Sequence, residues 1–83
     1  MKYSIAYKKS VARDLKKIGK KNAETLLRKI ERELPEKADR CSQLTGKFAM
    51  LRKYRIGDYQ VIFTLIKDTV MVLRISHRRD VYK

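Results

Sequence analysis

The sequence predicts an α+β fold in the order β-α-α-β-β-β, an antiparallel sheet with two N-terminal helices packed on one face. Three observations predict it. Apolar residues recur at helical spacing between residues 11 and 34, and they alternate with polar ones beyond residue 50. A Gly57-Asp58 pair then splits the alternating region, and Gly supplies the positive φ that a two-residue hairpin turn needs. The 83 residues form one domain, 1–83, with room for a single core, so function must sit on the outside of a two-layer fold.

Residues 2–7 alternate and put Tyr3, Ile5 and Tyr7 on one face, which makes a first strand. Ser10 can cap a helix in which Val11, Leu15 and Ile18 share a stripe, and Gly19 ends it. The start of that helix, at Lys8 or Ser10, is left open by the residues. In the second helix Ala23, Leu26, Leu27, Ile30 and Leu34 line one side, with Lys, Arg and Glu opposite. Asn22 is its expected cap, and Pro35 is expected to stop it. Residues 36–46 are polar and form a connection. After the hairpin, Lys67-Asp68 turns the chain into a last strand from Val70 to Ser76. Tyr59, Val61, Phe63 and Leu65 are expected to face the helices, while Ile62 and Ile66 make the other side partly apolar, as in a central strand.

Charge narrows the partners. Twenty-two Lys and Arg against nine acids leave a formal +13, a field that draws in polyanions and speeds their encounter. Nucleic acid leads, followed by an acidic protein and, at a distance, an anionic membrane surface. The longest apolar run is Val70-Met71-Val72-Leu73, too short for a transmembrane helix, and no signal-peptide pattern follows Met1. Cys41 stands alone, so neither an internal disulfide nor a zinc site is expected, and one free thiol fits a reducing cytoplasm.

Alternation places Lys53 and Arg55 on one side of their strand and Arg52, Tyr54 and Ile56 on the other. Two cations at alternate strand positions are about 7 Å apart, a spacing that can grip a phosphodiester. With both helices on one side of the sheet, the bare side should carry Lys53, Arg55, Gln60 and Ile62, joined by Arg74 from the last strand. The tail His77-Arg78-Arg79-Asp80-Val81-Tyr82-Lys83 leaves the sheet close by.

Three stretches in order carry a resemblance: Leu44-Thr45-Gly46, the hairpin Arg52-Lys53-Tyr54-Arg55-Ile56-Gly57-Asp58-Tyr59-Gln60-Val61-Ile62-Phe63, and the tail His77-Arg78-Arg79-Asp80-Val81-Tyr82. With the opening β-α-α they make the chain similar, over essentially its whole length, to the RelE/ParE toxin superfamily and its RelE-like messenger-RNA interferase branch. That resemblance implies the fold argued above and a metal-independent endoribonuclease, without cofactor, that cuts messenger RNA in the ribosomal A site. It also implies neutralisation by an acidic, RelB-like antitoxin that wraps around the toxin. The family's basic pair falls on Lys53 and Arg55, its arginine after the last strand on Arg78, and its C-terminal tyrosine on Tyr82. Where the family has an arginine after the hairpin tyrosine, this chain has Gln60. That change removes a guanidinium from the phosphate, unless Arg55 or Arg74 substitutes.

Metal-free RNA cleavage requires a base for the 2′-OH, in-line alignment, charge stabilisation of the phosphorane and an acid for the leaving oxygen. No pair of carboxylates accompanies the motif, and Asp58 is explained by the turn. Lys53 is therefore the candidate base or charge stabiliser, since guanidiniums at Arg52, Arg55 and Arg78 disfavour its charged form. Arg55 and Arg78 are assigned to phosphate, Tyr82 to stacking or proton transfer, and His77 to general acid because imidazole changes charge nearest neutrality. The bland alternative for His77 is a strand-end residue hydrogen-bonded to backbone. Arg52, Gln60, Arg74 and Arg79 are further RNA-binding candidates. Arg13, Lys16 and Lys17 on the first helix can dock on ribosomal RNA or simply form a solvated face. Two other functions compete. A ParE-type toxin that inhibits DNA gyrase would share the fold but not need the basic pair with Arg78 and Tyr82. A plain RNA-binding module would need an aromatic stacking platform that the sequence does not display.

Overall fold

In the computed structural model, which describes residues 3–77, β1 (Ser4–Tyr7) leads into helices α1 (Lys9–Ile18) and α2 (Lys20–Lys37). A two-residue strand β2 (Ser42–Gln43) follows, then β3 (Arg52–Ile56), β4 (Tyr59–Ile66) and β5 (Thr69–His77). Single 3-10 turns at Ala38–Arg40 and Gly46–Phe48 flank β2. The two helices and the β3-β4-β5 meander agree with the sequence expectation. The expected all-antiparallel sheet does not: the five strands run β1-β5-β4-β3-β2, and β1 pairs with β5 in parallel, from Ser4↔Thr69 to Tyr7↔Val72. The meander leaves the outer edge of β5 without a neighbour, and the helical crossover brings the chain to β3 from the other side, so β1 fills that edge.

Local expectations fare unevenly. Gly19 separates the helices as expected; its φ of 99° lets its N–H cap Leu15 while its carbonyl starts α2 at Ala23. Neither expected side-chain cap operates. Lys8 is the N-cap of α1, and the Ser10 hydroxyl donates instead to the Leu73 carbonyl at 2.7 Å; α2 begins at Lys20, which puts Asn22 inside the helix. Pro35 does not end α2, which continues to Lys37. The proline is buried next to Leu34, and its carbonyl accepts the Tyr3 N–H at 3.0 Å, so β1 and the core hold the last turn in place.

The core lies between the α2 stripe (Leu26, Ile30, Leu34), Val11 of α1, and the inward sheet residues Ile56, Val61, Phe63, Val70, Val72 and Ile75. A bulge decides what β5 shows to the other side. Phe63 pairs with Val72 but Ile62 pairs with Arg74, which leaves Leu73 without a counterpart. Strict alternation from Val70 and Val72 would turn Arg74 into the core; the extra residue turns Arg74 outward and Ile75 inward. Beyond Val72, where β1 stops, α1 takes over the edge of β5. The Lys8 N–H bonds Val72, Ser10 bonds Leu73, and the Asp14 carboxylate takes the Ile75 N–H at 2.9 Å.

Candidate phosphate-binding face

The register builds the uncovered side of the sheet row by row. Lys53, Ile62 and Arg74 are aligned across β3, β4 and β5, and Arg55, Gln60 and Ser76 form the next row. Lys53 and Arg55 are exposed, whereas Tyr54 and Ile56 point toward the helices. The basic pair therefore stands where alternation puts it. Gly57, at φ 58°, supplies the tight turn that joins the two strands.

At the β3 edge this pair opens into a groove of about 540 Å³ lined by Lys37, Arg40, Cys41, Ser42, Lys53, Tyr54, Arg55 and Gln60. Among the described residues, four cations line it and no carboxylate does. β2 covers only Arg52 and Lys53, so the edge from Tyr54 onward has no neighbouring strand among the described residues. Lys37 and Arg40 were absent from the sequence-based candidates. Both come from the polar connection after α2, and only its fold-back through β2 brings them beside β3.

Arg52, expected among the RNA-binding candidates, makes hydrogen bonds within the fold. Its guanidinium donates to the carbonyls of Cys41 at 2.9 Å and Asp39 at 3.3 Å, which ties the Ala38–Arg40 turn to β3. Its side of β3 faces the helices, where those carbonyls end the turn. Tyr54 is likewise committed, its hydroxyl donating to Glu33 of α2. Burial and that bond push the Tyr54 phenol up to about 12, while the same bond holds the Glu33 carboxyl below its ordinary value. Burial also pushes the Cys41 thiol up, which keeps it in the unreactive protonated form.

Arg74 reaches the open side through the bulge, where it is paired with Asp14. Its Nε donates to Asp14 Oδ2 at 2.9 Å and its second terminal nitrogen to Oδ1 at 3.2 Å. Arg74 lines a second cleft of about 470 Å³ with Lys17, Tyr59, Ser76 and His77. His77 pairs with Tyr59, which pairs with Ile56, so this row belongs to the helix side of the sheet. The Tyr59 and His77 rings meet edge to face, centroids 5.2 Å apart. His77 is thus placed apart from Lys53 and Arg55. Arg13 and Lys16 are exposed on α1. Arg78, Arg79 and Tyr82 lie outside the described residues. No group of three His, Cys, Asp or Glu able to hold a metal ion occurs among the described residues, and none of their helices is long and apolar enough to cross a membrane.

Two helices on one face of a five-stranded mixed sheet, with a basic opposite side, define the RelE-like toxin fold. The chain belongs to the ParE toxin family of type II toxin-antitoxin systems, whose model matches residues 5–82. It is therefore a member of the RelE/ParE superfamily that the motifs resembled. Among solved structures, it is similar to the RelBE2 toxin-antitoxin complex of Mycobacterium tuberculosis, with a TM-score of 0.83 and 22% identity over 94% of this chain and 100% of that one. A mutant of Escherichia coli toxin RelE in the free state gives 0.72 and 21% over 99% and 92%. A chromosomal ParDE system of Pseudomonas aeruginosa gives 0.64 and 17% over 90% and 95%. Comparison with curated protein sequences returned no match.

Proposed function

We propose that this toxin is a RelE-like endoribonuclease that cuts messenger RNA on the ribosome, without a metal ion, and is held inactive by an acidic antitoxin. The observation that carries the reading is the Lys53 and Arg55 pair on the uncovered side of the sheet, in a groove lined among the described residues by four cations and no carboxylate. Such a surface is suited to a phosphodiester and hostile to none of its oxygens. In this reading Arg55 holds the scissile phosphate and stabilises its developing charge. Lys53 takes the 2′-OH proton or adds a second positive charge, and Gln60 contributes a neutral hydrogen bond. Arg78 and Tyr82, by their resemblance to the family's tail, supply the remaining charge and the stacking or proton-transfer group. The His77 pairing with Tyr59 favours a structural role for that imidazole over general acid catalysis. A catalytic set this small is enough when the ribosome aligns the substrate. Antitoxin complexes among the similar structures support a protein partner, and the +13 charge supports an acidic one.

A second reading, a ParE-type toxin that inhibits DNA gyrase and cleaves nothing, is favoured by the description of the matching family and by Gln60. Mapping of transcript ends in a translating lysate, run beside a gyrase supercoiling assay, separates the two. Codon-phased cuts with normal supercoiling are expected; intact transcripts with blocked gyrase would select the second reading.

A further inference from the structure

The groove at the β3 edge extends the candidate site in a direction that neither the motifs nor the family tail indicates. Lys37 at the end of α2 and Arg40 on the following turn form its outer wall, opposite Lys53 and Arg55. All four cations are exposed. Ser42 and Gln60 add neutral hydrogen-bonding groups. The outer wall is fixed in place: Arg52 donates to two carbonyls of the turn, and the Cys41 thiol donates to the Lys37 carbonyl at 3.3 Å.

We propose that this groove binds the backbone of single-stranded RNA, so that a strand held at Lys53 and Arg55 leaves the open face across the β3 edge, with its next phosphates on Arg40 and Lys37. The proposal rests on the reading of Lys53 and Arg55 as phosphate ligands. Three features point to RNA over an added peptide strand. The groove is continuous with the Lys53 and Arg55 pair. Among the described residues its lining carries four positive charges and no negative one. Among the described residues the free edge is only the end of β3, from Tyr54 to Ile56, and the cationic Arg55 side chain stands there against strand pairing. Arg52 is then a positioning residue, which sets the distance between the two walls without touching the RNA.

The test is fluorescence anisotropy of the full chain with a dye-labelled, non-cleavable single-stranded 2′-O-methyl oligonucleotide over a series of salt concentrations. Three charge-matched double variants are compared with the parent: Lys37→Gln with Arg40→Gln, Lys53→Gln with Arg55→Gln, and a remote control, Arg28→Gln with Lys67→Asn. The groove variant should bind on the order of tenfold more weakly and lose about 1.4 from the salt slope, the share of two single-strand phosphate contacts. The control should lose clearly less. Equal losses in the groove variant and the control would overturn the proposal, because binding would then follow net charge alone. If the Lys53 and Arg55 variant loses binding while the groove variant does not, the groove proposal fails and the open-face reading stands. If the Lys53 and Arg55 variant binds like the parent, the open-face reading fails too. RNA binding unchanged in the groove variant, with loss of binding to a polyglutamate probe, would reassign the groove to an acidic protein.

Discussion

Asp14 of α1 holds Arg74 of β5 through two charge-assisted hydrogen bonds, and its Oδ2 also accepts the Ile75 N–H. One buried carboxylate therefore does three things: it finishes the edge of β5 beyond the end of β1, fastens α1 to the sheet, and fixes the guanidinium that the β5 bulge turned outward. The carboxylate is buried and the arginine largely exposed, with side-chain accessibilities of 8% and 60%. Their substitutions should therefore differ. Asp14→Ala should cost about 2–3 kcal/mol in urea unfolding, since it orphans a buried N–H as well as the guanidinium. Arg74→Ala should cost about 1 kcal/mol or less. The reverse order would mean that the pair, and not the strand edge, is what Asp14 secures.

Arg52 should behave as a strut and not as a ligand. Arg52→Ala removes two donors from the Cys41 and Asp39 carbonyls and should lower stability by about 1–2 kcal/mol. Arg52→Lys should recover only part of this, because both bonds leave one terminal guanidinium nitrogen and the lysine side chain, one atom shorter, places its ammonium short of that position. Thermal unfolding of the three proteins checks the order parent, lysine, alanine.

Tyr54 and Glu33 give a pH signature with opposite signs at its two ends. The Tyr54 phenol is raised from its ordinary value to about 12, so its contribution is complete below about pH 10 and fades as pH rises toward 12. The Glu33 carboxyl is lowered, so its contribution is present above the ordinary carboxylate range and is lost as pH falls through the depressed value. The difference in unfolding temperature between parent and Tyr54→Phe should thus be largest and flat through neutral pH and shrink at both extremes. A difference that grows between pH 10 and 12 would contradict the assigned direction.

The tail gives a prediction from the family resemblance. Arg78→Ala or Tyr82→Phe should relieve growth arrest on expression while the variant stays folded by circular dichroism. Full toxicity in both variants would remove the tail from the chemistry.

Alternation and spacing made the helices, the hairpin and the facing of Lys53, Arg55, Val61 and Phe63 readable, because each depends only on residues near one another in the chain. What stayed hidden depends on tertiary partners. The parallel seat of β1 is set by the free edge of β5, and Pro35 stays helical because Tyr3 and the core hold the last turn. Arg52 and Arg74 read in the sequence as two more surface cations; carbonyls and a carboxylate brought in from residues 11 to 60 positions away engage part of their donors. Lys37 and Arg40 were missed for the converse reason, since nothing in a polar connection says that it will fold back beside the basic pair. Similarity at 17–22% identity to RelE and ParDE structures alike fixes the fold and leaves the choice of target to the side chains of the open face.

The most direct measurement is the single-turnover rate of messenger cleavage on ribosomes programmed with an empty A site, for the parent and for Lys53→Ala and Arg55→Ala separately. Each variant should lose about 10²–10⁴-fold in rate and keep its fold by circular dichroism. Cleavage at the parental rate in both variants, or none by the parent itself, would contradict the assignment of the chemistry to this face.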